Sequence, residues 1–196
     1  MEFKAWDKIS RLSREMVITE KIDGTNSIIA ITEDNTIYAG SRIRWLWNST
    51  QDKLYNDNAG FAAWVLKNQE ELLKLGEGYH HGEWWGNGIQ RGYGLKNKRF
   101  SLFNTGRWTS EFNLGLSRTT ECIEVPVCHV VPVLYRGEFD TNIISQTLNN
   151  LKEIGSFAYP GFNDPEGIVI FHTASETMFK KTIKNDESPK SLIKDN

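Results

Sequence analysis

Apolar and polar residues alternate in short runs along most of the chain, and only two stretches carry apolar residues at helical spacing. Arg14–Ile22 (REMVITEKI) predicts a strand that feeds a turn at Asp23-Gly24. Asn26–Ile31 (NSIIAI) predicts a second strand, Glu33–Asn35 a hairpin loop, and Thr36–Arg42 (TIYAGSR) a returning third, together an antiparallel meander. The period then changes. Phe61, Val65, Leu72 and Leu73, with Ala62 and Leu66 nearby, follow a helical stripe, with Asn58 as its cap and Gly76 as its stop. Tyr79–Gly86 and Arg99–Asn104 read as strands around a glycine-rich loop, Gly86–Gly94. Cys128–Gly137 is another β-rich piece, which Pro132 marks as an edge or a break. Ile144, Leu148 and Leu151 share one face of a second helix, Thr141–Ile154, capped by Asp140 and ended by Gly155. Glu166–Thr173 and Met178–Asn185 read as a closing hairpin, and the polar tail 186–196 is expected to be mobile.

Many strands and two helices, without regular alternation, give an α+β class with mostly antiparallel sheets in one domain, residues 1–185. No Gly-x-Gly-x-x-Gly leads from a strand into a helix, which disfavours a dinucleotide fold, and no phosphate loop of the Walker type is present. Internal repeats and linkers are absent.

Charge changes the picture of the partner. The net charge of −2 supplies no global field for nucleic acid, so any grip on phosphates falls to local patches: Ser41–Trp45 (SRIRW), Lys96–Arg99 (KNKR) and Phe179–Lys184 (FKKTIK). Seven tryptophans and ten phenylalanines are enough for a core with some left to stack on bases. Cys122 and Cys128 form no Cys-x-x-Cys pair, and His80, His81, His129 and His172 are not at metal-binding spacing with them. A disulfide framework and a structural zinc are therefore not expected, and a reducing cytosol fits. The polar N-terminus is not a signal peptide, and no apolar run approaches a membrane span.

Five short stretches end a predicted strand or open a loop with charged or reactive residues: Lys21 and Asp23, Ser41-Arg42, Gly82-Glu83, Glu166-Gly167, and Lys180-Lys181. Each alone is common. In this order the set resembles the covalent nucleotidyltransferase superfamily, which comprises ATP-dependent DNA ligases, RNA ligases and mRNA capping enzymes. EKIDGTN (Glu20–Asn26) is similar to the nucleophile motif, GSR to the second, HGEWWG to the third, FSLFN to the aromatic one, EGIVI to the fourth and MFKK to the fifth. The trailing Thr-Asn looks most like the RNA ligase 2 type.

The resemblance implies an ATP-grasp-like ligase domain, with antiparallel sheets flanked by helices and the nucleotide between them. It implies that Lys21 attacks the α-phosphate of ATP and passes the adenylate to a polynucleotide end, with Mg²⁺ required and Mn²⁺ able to substitute. The amine must be neutral when it attacks, and lysine gives up its proton far more readily than arginine. By the same resemblance Asp23 positions the turn or the metal, and Glu20 and Arg42 contact the nucleotide. Glu83 accepts from the ribose hydroxyls, Phe103 stacks on adenine, and Asn26 meets the accepting nucleic-acid end. Glu166 holds the metal or its waters, and Lys180 and Lys181 clamp the α-phosphate.

The chain departs from the family pattern in three places. Asn104 stands where the aromatic motif usually ends in aspartate, and Thr182 stands at the second lysine of the usual Lys-x-Lys. About fifteen residues follow Lys181, so a C-terminal OB domain is not expected, and a partner protein supplying nucleic-acid binding is. RNA or DNA ends are the implied substrate, and a bacterial or phage-infected cytoplasm is the setting suggested by analogy. Two other readings stay open: a capping-type guanylyltransferase using GTP, and a non-catalytic protein that binds nucleotides or nucleic-acid ends.

Overall fold

The computed structural model describes residues 1–54, 57–108 and 125–187. Among the described residues ten strands build two sheets. One contains β8 (Val133–Glu138), β1 (Glu15–Lys21), β9 (Gly167–His172) and β10 (Thr177–Thr182), in the order β10-β9-β1-β8. The other contains β2 (Thr25–Ile31), β3 (Ile37–Ser41), β4 (Trp45–Asn48), β5 (Gly78–Gly86), β6 (Lys98–Leu102) and β7 (His129–Val130), in the order β4-β3-β2-β5-β6-β7. Every pairing is antiparallel except β6 with β7.

The expected meander therefore begins one strand later than its pattern suggests. β1 and β2 do not pair, because each already has a neighbour on both edges: β8 and β9 for β1, β3 and β5 for β2. Met16, Val17 and Ile18 are buried in succession, as in a strand covered on both faces. Asp23-Gly24 thus carries the chain from one sheet to the other instead of closing a hairpin. Pro132 does the same on the return, between β7 and β8. The break it signals is real, and its carbonyl accepts from the Glu20 amide at 3.0 Å.

Alternation along the strands sets the layers. One face of the six-stranded sheet packs Ile29, Ile37, Trp84, Phe100 and Leu102 against Phe61, Ala62 and Val65 of α1 (Phe61–Lys67). One face of the four-stranded sheet packs Met16, Ile18, Ile168 and Ile170 against Leu151, with Ile144 and Leu148 beside it, on α4 (Thr141–Ile154). That helix has the bounds and caps its sequence predicts: the Asp140 carboxylate accepts from the Asn142 amide at 2.7 Å, and Gly155 ends it at φ 90°.

The first helix is less regular than its stripe. Asn68, at φ −113°, divides it into α1 and the one-turn α2 (Gln69–Leu72), and a 3₁₀ turn (Leu73–Leu75) runs to Gly76. Asn58 is not its cap. Gly60 takes that position, the Asp57 carboxylate accepts from the Ala62 amide at 2.8 Å, and the Asn58 amide donates instead to Thr25 and Ser27. A one-turn helix, α3 (Thr105–Trp108), follows β6. Cys122 and most of the tail, 188–196, lie outside the described residues. Among the described residues, no helix is long and apolar enough to cross a membrane.

Candidate active site between the two sheets

The crossing at residues 22–24 puts the end of β1 beside the start of β2, so residues of both sheets meet there. Lys21 ends β1, and its Nζ donates to Glu166 Oε2 at 2.7 Å. The pairing explains the distance: Lys21 is directly opposite Gly167, the residue after Glu166. Glycine is required at 167, because a Cβ there would strike the Lys181 carbonyl of β10. Glycine is equally required at 24, where a Cβ would come to 2.5 Å from the Trp84 carbonyl and 2.8 Å from the Trp85 side chain. The Asp-Gly pair thus presses the turn against β5.

Glu83 is on β5 opposite Asn26 of β2. It is buried, and burial pushes its carboxyl up to about 7. Lys21 and the Gly24 amide pull it down, while Glu166 and Asp23 push it up. Three carboxylates and one ammonium therefore share a poorly solvated pocket, the type of environment in which functional groups are tuned.

The turn is held from below. Arg91, in the glycine-rich loop, donates from Nε to Asp23 Oδ2 at 2.9 Å and from Nη1 to the Asp164 carbonyl at 2.9 Å, and it reaches the Asp164 carboxylate at 3.0 Å. One guanidinium thus ties the segment after Lys21 to the segment before Glu166. Lys184 extends the chain of charges to Asp164 at 2.8 Å. The Asp23 amide donates to the buried Tyr93 hydroxyl at 2.9 Å. Neither Arg91 nor Tyr93 stood out in the sequence. The only hint was the Arg-Gly-Tyr-Gly composition of the loop, where Gly92, Tyr93 and Gly94 all adopt positive φ.

The remaining expected residues divide by strand parity. Phe103 follows β6 on the face that carries Glu83; its amide donates to the His81 carbonyl at 3.0 Å, and it is 38% exposed. Arg42 is exposed just beyond the end of β3, at the rim. On β10, Lys180 shares the face of Lys21 and is exposed, while Thr182 lies in the same transverse row as Gly167 and Lys21. Lys181 points to the opposite face, and its Nζ is 3.4 Å from Asp186. Glu20 also points away. Its carboxylate is buried behind β1 and accepts from Ser156 Oγ at 2.6 Å, Phe157 N at 2.8 Å and Ala158 N at 2.9 Å. Lys21, Asp23, Asn26, Glu83 and Glu166 thus converge. Phe103, Arg42 and Lys180 border them, and the Glu20 and Lys181 side chains do not join. Asn104 caps α3, its side chain accepting from the Arg107 amide at 3.1 Å.

Among the described residues no cluster of three metal-ligating side chains occurs. A lone carboxylate such as that of Glu166 suits a divalent ion that keeps most of its waters, and not one held in an all-protein cage.

A family model described as RNA ligase matches residues 14–185. Solved structures of a Naegleria gruberi RNA ligase share the fold. A lysine-to-alanine mutant in its apo form superposes with a TM-score of 0.60 at 20% identity, over 86% of this chain and 49% of that one. A second lysine-to-alanine mutant, with ATP and Mn, gives 0.59 at 20% identity over 86% and 49%. A glutamate-to-alanine mutant with AMP and Mn gives 0.60 at 19% identity over 86% and 49%. The chain spans about half the length of these Naegleria chains. No curated protein matches it.

Proposed function

The chain belongs to the RNA ligase family, and from that premise we propose that it is an ATP-dependent RNA ligase of the RNA ligase 2 type, acting through a covalent adenylate on Lys21. The observation that carries the reading is the Lys21–Glu166 contact, 2.7 Å long, at the junction of the two sheets with Glu83 and Asp23 around it. The ATP or AMP held with Mn by the Naegleria structures supports the choice of nucleotide.

In this reading the nucleotide occupies the groove of an ATP-grasp-like domain, residues 1–185. Glu166 orients the Lys21 amine. The neutral Nζ attacks the α-phosphorus of ATP, a nitrogen–phosphorus bond forms, the bond to pyrophosphate breaks, and the proton that nitrogen sheds passes to solvent. Glu83 accepts from the ribose hydroxyls, and Phe103 stacks on the base. Arg42 and Lys180 approach the phosphates from the two rims. Glu166 would hold Mg²⁺ through its carboxylate or the waters around it, and the ion when bound would neutralise charge on the phosphate oxygens. The AMP then passes to a 5′-phosphate, and a 3′-hydroxyl positioned by Asn26 displaces it to leave a phosphodiester. Asp23 serves through the turn that Arg91 holds. Glu20 serves by fixing β1 against residues 156–158, and Lys181 through its pair with Asp186.

Intact-protein mass spectrometry after incubation with Mg²⁺ and either ATP or GTP tests the reading. An added AMP on a peptide containing Lys21 is the expected result. An added GMP would make the protein a guanylyltransferase, and no adduct with either nucleotide would make it a binding protein.

A further inference from the structure

The face of the six-stranded sheet that carries Glu83 is closed at one end and open at the other. The closed end holds Trp85, fully buried under Tyr93, Leu95 and Ala158. Next comes the transverse row of Asn26, Glu83 and Ser101. Beyond it, among the described residues, His81, Tyr79 and Phe103 are exposed, with Ile28 and Tyr38 half-buried between them. Register puts Gly40, Ile28 and His81 in the following row, with Phe103 beyond them, and Tyr38, Ala30 and Tyr79 in the row after that. Tyr79 is 70% exposed and Trp45 48%. The Trp45 ring lies over Gly40, where a Cβ would come to 2.9 Å from it, and packs against Tyr38 with centroids 5.4 Å apart. An exposed turn carrying Arg42 and Arg44 links β3 to β4. Among the described residues no ion pair engages either arginine.

We propose that this open face, with Trp45, Tyr38, His81 and Tyr79 as its stacking surfaces and Arg42 and Arg44 at its rim, binds the single-stranded polynucleotide leading to the end being joined. The inference rests on the ligase reading for its direction, because the face runs without interruption into the row that holds Asn26 and Glu83. A core-facing aromatic is buried, and a solvent-facing sheet ordinarily carries short polar or charged residues. Exposed rings on a sheet, beside guanidiniums that no ion pair engages among the described residues, match instead the two parts of a single strand, its base faces and its phosphates. Four-stranded RNA-binding sheets use exposed aromatics in this way to stack two or three bases. Charge also fixes which part of the face a strand crosses. Glu33 and Asp34 in the β2–β3 turn and Glu77 before β5 make the far end acidic, so the phosphates follow the Arg42–Arg44 side.

Fluorescence anisotropy with a labelled single-stranded oligoribonucleotide, without nucleotide or metal, reads this face apart from the chemistry. Trp45→Ala and Tyr79→Ala should each weaken binding about fivefold or more, the lower end of one lost base stack. Trp45→Phe should recover most of the loss, and all three variants should accept AMP from ATP as the parent does. Because Tyr79 is mostly exposed, its truncation tests the face without risk to the core. Unchanged binding in both alanine variants, or an equal loss in Trp45→Phe and Trp45→Ala with Tyr79→Ala unaffected, overturns the proposal. The two readings fail separately. A parent that takes up AMP while both alanine variants bind RNA normally leaves the ligase standing without the platform. A parent that takes up no AMP while both lose RNA leaves the platform standing without the ligase.

Discussion

Glu20 and Lys21 are neighbours in the chain and belong to opposite sides of one strand, and the two sides are built on different terms. Behind β1 the Glu20 carboxylate is buried and takes three hydrogen bonds, one from a hydroxyl and two from consecutive backbone amides. Burial raises its pKa, and each of the three donors pulls it back. In front of β1, Lys21, Glu83, Glu166 and Asp23 share a pocket in which burial is only partly compensated, and Glu83 stays up near 7. A carboxylate whose donors are all protein groups has no capacity left for a ligand. One that is desolvated and short of donors binds a hydroxyl, a cation or a proton when one is offered. The back of the strand stabilises, and on the proposed reading the front receives the substrate.

The sharpest break of this comparison is Lys21→Ala. It should abolish adenylylation, because the amine that forms the phosphoramidate is gone, and it should also lower the melting temperature, since the buried Glu166 carboxylate loses its ammonium partner; adenylylation is therefore read per folded molecule. Residual sealing of a strand already carrying 5′-AMP would assign the loss to the first step alone. Uptake of labelled AMP at the parental rate would remove Lys21 from the chemistry. Glu20→Ala should act on stability and spare adenylylation per folded molecule. It strands Ser156 Oγ and the amides of Phe157 and Ala158 inside the protein, at a cost of roughly 3 kcal/mol or more, read as a lower denaturation midpoint in urea. A Glu20→Ala protein that is as stable as the parent but dead in adenylylation would reverse the assignment of the two faces.

Arg91→Ala gives a smaller effect and probes the link between the two sheets. With the guanidinium gone, the Asp23 turn and the Asp164 segment lose their common partner, and the ends of the strands that carry Lys21 and Glu166 are held by the β1–β9 pairing alone. Misplacement of this kind costs on the order of tenfold to a hundredfold in rate. The loss should fall on the adenylylation rate with the ATP requirement little changed, and Arg91→Lys should rescue it poorly, since an ammonium cannot span both segments as a fork does. A drop in stability with an unchanged rate per folded molecule would make Arg91 purely structural.

Arg91 also marks the limit of what the sequence discloses. Lys21, Glu83 and Glu166 are legible because their motif neighbours are glycines whose positions the backbone dictates: Gly24 and Gly167 leave no room for a side chain. The strands around them are legible from alternation, and α4 from its caps. The sequence pattern cannot say which edges pair. β1 and β2 look like a hairpin because a two-residue turn joins them, and the long-range partners that claim their edges lie more than a hundred residues away for β1 and about fifty for β2. Parity is hidden for the same reason. Glu20 is one residue from Lys21, which converges, and Lys181 is one residue from Lys180, which borders the site, and a one-residue step along a strand is a change of face. Arg91 is hidden because a single arginine in a glycine-rich loop has no periodicity to betray it.

The smallest effect separates the two carboxylates by their titration. Glu83→Gln keeps the shape of the side chain and removes its charge. In the folded parent the Glu83 carboxyl titrates near 7, against 4.5 for its unperturbed value. Between those values the folded state binds the proton that the unfolded chain has released, so the folded state is favoured by acid at this site. The contribution is fully present below about pH 4.5 and is lost as pH rises through 7. Glu83→Gln has no such loss. Parent and variant should therefore melt together near pH 4.5, and the variant should melt progressively higher as pH approaches 7, by about 1–3 kcal/mol at the plateau. Added ATP and Mg²⁺ should narrow the gap, because ligands that prefer the ionised carboxylate restore its partners and stabilise only the parent at that site. A stability difference that does not change between pH 4.5 and 8 would show that Glu83 is ionised and satisfied in the folded protein, as closed a carboxylate as Glu20, and the contrast between the two sides of β1 would then rest on Lys21 and Glu166 alone.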